Sequence, residues 1–131
     1  MEPEFLTVAD ALHIHRNQID TFGGEHGVRD MGLLESAMAQ PQAAYGGSLL
    51  HPDLFEMAGA YLFHIVRNHP FLDGNKRTGA VVAMVFLTWN RVVLRTDNEG
   101  LVDVTIRVAE GRAGKAEAAH FFRTIALSGT P

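Results

Sequence analysis

The eight residues Ala80 to Leu87 form the longest unbroken apolar run in the chain, and they constrain the fold more than any other stretch. A membrane-spanning helix needs about 18 to 20 such residues, so the run is too short to cross a bilayer, and no membrane partner is expected. It is also too apolar on every side to be a surface helix. A helix without a polar face sits inside a protein, so the pattern predicts a helix from Lys76 to Asn90 at the centre of the molecule, wrapped by the others. The chain has 131 residues, enough for a core that buries about two-thirds of the unfolded surface without staples. There is no cysteine, which excludes thiolate zinc sites, a cysteine nucleophile and a redox pair. That composition fits a reducing cytoplasm, and the acidic start Met1-Glu2-Pro3-Glu4, with no apolar stretch behind it, does not resemble a signal peptide. With 15 acidic against 11 basic residues the net charge is −4, so broad adhesion to nucleic acid is not expected.

Thr7 and Asp10 approximate a capping box, and Val8, Leu12, His15/Arg16 and Ile19 recur at helical spacing, which predicts a first helix from Val8 to Asp20. Gly23, Gly24 and Gly27 break it. Asp30 can cap a second helix through Leu33, Leu34, Ala37 and Met38, ended by Pro41. Gln42 to His51 contains Tyr45-Gly46-Gly47-Ser48 and reads as an irregular loop or a short β-flap. Pro52 suits the first position of a third helix, whose apolar face runs from Leu54 to Val66 and which should stop near Asn68, before Pro70. After the apolar helix, Val92-Val93-Leu94 reads as an edge strand, and Leu101 to Ala109 and Lys115 to Ala126 as two weaker helices. No repeat or long linker divides the chain. Residues 1–131 are therefore expected to form one all-α domain, a helical bundle around a buried central helix with a short β-flap.

One polar turn stands apart: His69-Pro70-Phe71-Leu72-Asp73-Gly74-Asn75-Lys76-Arg77. A helix N-terminus offers unpaired N–H groups and the positive end of the dipole, which makes Gly74-Asn75-Lys76 a candidate anion nest. Lys76 and Arg77 put two cations at that same end, the wrong end for helix stability and the right one for a triphosphate. Asp73 is placed to ligate Mg²⁺, which takes one or two carboxylates together with phosphate oxygens and water. Histidine is the side chain best suited to take a proton near neutral pH, so His69 is a candidate general base. Singly, each residue has an ordinary use: a helix-terminal histidine, a turn aspartate, solvated cations. Together, within nine residues, they imply transfer of a phosphorus group from a nucleotide to a hydroxyl. Elsewhere His13 and His15 lie two apart on one helix and cannot share a face, so they read as surface or boundary histidines, and His64 reads as a boundary or core residue.

The nine-residue turn resembles the signature of the Fic/Doc (Fido) family, approximately H-x-F-x-[DE]-G-N-[GK]-R. The resemblance extends to Phe22-Gly23-Gly24 with Gly27 and Asp30, to Leu33-Leu34-Glu35-Ser36-Ala37, to Pro52-Asp53-Leu54-Phe55, and to Asn68 before the motif histidine. Fic adenylyltransferases carry glycine where this chain has Lys76 and arginine where it has Ala80, and both departures match the Doc (death on curing) branch. That resemblance implies a toxin that moves the ATP γ-phosphate to a hydroxyl of a translation factor, elongation factor Tu being the family's known target. Adenylyl transfer and a catalytically silent binding module are the alternatives. Carried over by position, His69 is the base, Asp73 the Mg²⁺ ligand, Gly74 and Asn75 the nest, and Lys76 and Arg77 the phosphate clamp, with Arg67 a helper. The Gln42 to His51 stretch stands where the family has a target-docking flap. Self-inhibited Fic proteins carry an [ST]-x-x-x-E-[GN] helix, to which Ser36-x-x-x-Gln40 is the nearest approach and lacks the acid. The implied control is therefore in trans, by an antitoxin whose tail folds on binding.

Overall fold

A computed structural model describes residues 2–127. Among them are six α-helices and one two-stranded sheet: α1 Val8–Phe22, α2 Met31–Ala39, β1 Ala44–Tyr45, β2 Ser48–Leu49, α3 Leu54–Asn68, α4 Asn75–Trp89, α5 Asn98–Ala109 and α6 Lys115–Ile125. This is the expected all-α bundle with a β-flap. Thr7 and Asp10 close the capping box at α1, and Asp30 accepts from the Leu33 N–H at the start of α2. α2 stops at Ala39, just before Pro41, which sits inside a 3₁₀ turn, Gln40–Gln42, where the missing N–H is tolerated.

Three expectations need correction. Pro52 is not the first residue of α3, because Asp53 caps that helix by accepting from the Glu56 N–H. Val92-Val93-Leu94 forms no strand, and only an isolated bridge between Leu94 and Ala126 is present there. The most enclosed helix is α3. It buries Met57 through Leu62 together with Ile65 and Val66, and packs against α2, α4, α5, α6 and the 3₁₀ turn. The apolar run lies in α4, which packs on α3, α1 and α5 and leaves Val81, Met84 and Val85 half-buried. A continuous apolar stretch marks a helix with several packed neighbours, and it does not say which of two adjacent buried helices is central.

The β-flap is a hairpin in which Ala44 pairs with Leu49 and Tyr45 with Ser48. Gly46 and Gly47 both have positive φ, 59° and 83°, as a two-residue hairpin turn of the favoured twist requires. At its base His51 is buried and accepts from the Lys115 ammonium at 3.3 Å. His64 on α3 lies near the same lysine. Burial first, then the Lys115 and His51 charges, push its imidazole down to about 4.

Two outcomes test this packing. α3 and α6 meet at Gly59, where a Cβ would lie 2.8 Å from the Lys115 carbonyl and 3.0 Å from the Ala119 nitrogen, both backbone atoms. Gly59→Ala is expected to lower unfolding free energy by about 1–3 kcal/mol in urea titrations, against the usual helical preference for alanine. His64 binds its proton less readily in the folded chain than unfolded, so its contribution is complete above the ordinary histidine range and is lost as pH falls toward about 4. Urea midpoints measured from pH 7.5 down to 4.5 should fall, and His64→Phe should flatten that slope.

Candidate active site at the start of α4

The turn between α3 and α4 is held from outside. Pro70 disfavours a helical backbone at the residue before it, and His69 takes the left-handed conformation as the C-cap of α3, with φ 52° and ψ 54°. For a residue with a Cβ that costs about 1–2 kcal/mol. Arg29, in the α1–α2 loop, grips the strained end: its Nε donates to the His69 carbonyl at 2.6 Å and its Nη2 to the Asn68 carbonyl at 2.8 Å. The N–H groups of Arg29 and Asp30 both donate to the Pro70 carbonyl, at 2.7 and 3.0 Å, and the Leu72 N–H donates to Gly27 at 3.0 Å.

Phe71 is completely buried and stacks on His15, with ring centroids 3.9 Å apart and planes within 5°. His15 Nε2 donates to the Asp73 carbonyl at 2.8 Å. The sequence reading of His15 as a surface or boundary residue is therefore corrected: it is 4% exposed, and burial holds its imidazole below the usual range. Asp73 directs its carboxylate into two backbone donors, with Oδ2 accepting from Glu25 at 3.1 Å and Oδ1 from Gly74 at 2.8 Å. These bonds, and behind them the Arg77 charge, hold the carboxyl below the ordinary carboxylate range. It stays exposed, with lone pairs available to a cation.

Gly74 starts α4 with φ 77°, a left-handed conformation suited to glycine, and no side chain caps the helix. The first N–H groups of α4 thus have neither an intrahelical acceptor nor a side-chain one. Lys76 is exposed, and its ammonium has no hydrogen bond or ion pair among the described residues. Arg77 is differently placed from a simple phosphate clamp. Its Nη1 and Nη2 donate to the carbonyls of Gln18 and Gly23 at 3.4 and 2.9 Å, closing the end of α1, and the group lies over the Phe22 ring at 5.9 Å. Arg67 reaches across to the Val108 and Ala109 carbonyls at the end of α5, at 3.4 and 3.5 Å.

His69, Asp73, Gly74, Asn75, Lys76, Arg77 and Arg67 all line one cleft of about 470 Å³. A larger concavity of about 990 Å³, between the N-terminal segment, the flap and the start of α3, contains none of them. The smaller cleft is the one with the chemistry. No group of three histidine or carboxylate side chains suited to a metal occurs among the described residues. A Mg²⁺ held by the single Asp73 carboxylate, phosphate oxygens and water is compatible with that donor set. Sequence reasoning missed Arg29 and His15, which touch the turn only through tertiary contacts.

A family model described as Fic/DOC family matches residues 5–87, which takes in α1 through most of α4. Two curated proteins are similar. Protein kinase doc of Escherichia phage P1 is 32% identical over 120 residues, 92% of this chain and 94% of that one. Toxin Doc of Mycolicibacterium smegmatis is 49% identical over 76 residues, so the match spans 58% of this chain and 58% of that relative's length.

Arg29→Ala leaves two carbonyls of the left-handed cap without their charged donor. It should lower stability by about 1–3 kcal/mol in denaturant titrations, while Arg29→Lys, which lacks the planar fork, recovers only part of the loss.

Proposed function

The chain belongs to the Fic/DOC family, and on that premise we propose that it is a Doc-type toxin, a phosphotransferase that moves the γ-phosphate of ATP to a hydroxyl of a translation factor of the elongation factor Tu class. One observation carries the reading: an uncapped helix N-terminus with an unpaired lysine opens into the same cleft as His69 and Asp73. The branch assignment is supported by Lys76 and Ala80 standing where adenylyltransferases have glycine and arginine, and by the names of the two relatives.

In this reading the backbone N–H groups at the start of α4 and the Lys76 ammonium seat the phosphates, as a nest and a point charge. Arg77, tied to α1, adds a fixed positive field beside them. Asp73 would hold Mg²⁺, which when bound offsets charge on the phosphate oxygens. His69 takes the proton of the attacking hydroxyl. The bond from that oxygen to the γ-phosphorus forms as the bond from phosphorus to the bridging β-oxygen breaks, and ADP leaves. Positioning and charge stabilisation supply most of the rate, as in other phosphoryl transfers. The flap, with Tyr45 83% exposed, offers strand edges to an extended segment of the target. Restraint falls to a separate antitoxin whose tail orders on the toxin surface, and the site of action is the cytoplasm. No helix among the described residues is long and apolar enough to cross a membrane.

Incubating the chain with Mg-ATP and elongation factor Tu, then measuring intact mass, tests the proposal. A phosphate increment is expected. An AMP increment replaces the reading with adenylyl transfer, and no increment, with growth unaffected on expression, points to a silent binding module. His69→Ala should reduce the rate about 10²- to 10⁴-fold, the range for loss of a general base.

A further inference from the structure

Asn75 is 5% exposed, and its side-chain amide is fully engaged. Oδ1 accepts from the Phe71 N–H at 2.9 Å, and Nδ2 donates to the Phe71 carbonyl at 3.0 Å. A backbone N–H only donates and a carbonyl only accepts, so Phe71 fixes which end of the amide is oxygen, an assignment that is often ambiguous elsewhere. The second Nδ2 hydrogen then meets His69 Nδ1 at 2.6 Å. Nδ1 is the acceptor in that contact. A neutral imidazole has one protonated and one bare nitrogen, so the proton of His69 is on Nε2.

His69 is exposed and lines the cleft, and with Nδ1 covered by Asn75 the nitrogen open to a ligand is Nε2. An Nε2–H group donates to a phosphoryl or hydroxyl oxygen. It has no lone pair with which to receive a proton. The one lone pair of the ring able to do so is on Nδ1, and it is occupied.

We infer that the contact between Asn75 and His69 is a catch: it holds the resting imidazole in the tautomer that cannot act as a base at Nε2, and base action requires the ring proton on Nδ1 with that contact broken. The inference rests on the reading of His69 as the proton acceptor. It makes Asn75 a positioning residue that acts through His69. While the catch is closed, neither hydrogen of the Asn75 amide is available to a phosphate, and the nest is made of backbone N–H groups.

The test is a long-range ¹H–¹⁵N spectrum of the full ligand-free chain at about pH 8.5, where an ordinary histidine is neutral. The ring of His69 is assigned by its absence in His69→Gln. A protonated Nε2 with a bare Nδ1 is the expected result, and a protonated Nδ1 overturns the inference. In Asn75→Asp a carboxylate oxygen replaces the donor at Nδ1, and the proton should move there. If that variant does not fold, the wild-type spectrum decides alone. A chain that transfers phosphate yet rests with Nδ1 protonated overturns the catch and spares the phosphotransferase reading. A chain that rests with Nε2 protonated and transfers nothing sinks the phosphotransferase reading while the tautomer assignment stands.

Discussion

A left-handed residue with a side chain does not hold its own shape at the end of a helix, and the geometry of this molecule depends on how His69 is made to do so. Pro70 closes the helical option, and Arg29, 40 residues away in sequence, supplies a two-pronged donor to the last two carbonyls of α3. The same loop takes up the Pro70 carbonyl with two N–H groups and gives Gly27 to Leu72. Once that backbone is set, Phe71 points into the core, Asp73 points out, and α4 begins where the cleft opens. These contacts are long-range, so the cleft acquires its form only when the α1–α2 loop has docked on the α3–α4 turn.

The start of α4 follows a different logic from the starts of α1, α2, α3 and α5. α1, α2, α3 and α5 each have a side-chain oxygen at the N-cap, the arrangement that stabilises a helix. α4 has glycine, no cap bond, and two cations in its first turn. Helix stability is given up locally, by an amount on the order of 1 kcal/mol for an absent cap. The apolar burial of α4 against α3 and α1 offsets it, because most helical stability in proteins comes from packing. Asp73 is the nearby acid, and its oxygens accept from the Glu25 and Gly74 N–H groups, which leaves the N–H groups of Asn75, Lys76 and Arg77 without a side-chain acceptor.

Much of this was legible in the sequence. Helix boundaries follow caps and prolines, which are local signals, and Thr7, Asp30 and Asn68 mark them well. The nine-residue turn was legible because its residue types are contiguous. Arg29 and His15 were not, since an arginine after Gly-Val and a histidine on a helix carry no sign of which carbonyl they will find. Charge and motif position mark Arg77 as a phosphate-binding cation, and neither reveals that two of its N–H groups close the end of α1. The centrality of α3 was hidden for a related reason. Its residues Gly59 and Ala60 count little toward hydrophobicity, yet they let another helix approach within backbone contact.

The flap has strands of two residues each. Ribbons that short are poor templates for the edge-to-edge stacking that leads to aggregates, so an exposed Tyr45 beside open backbone groups carries little hazard. The same brevity limits what the ribbon can read. A guest strand laid along it gains about one or two backbone pairs and shows alternate side chains to nothing deep. A protein that uses such an edge must therefore recognise its target by the shape of a folded surface, and a short linear motif cut from that target should be a poor substitute for the whole.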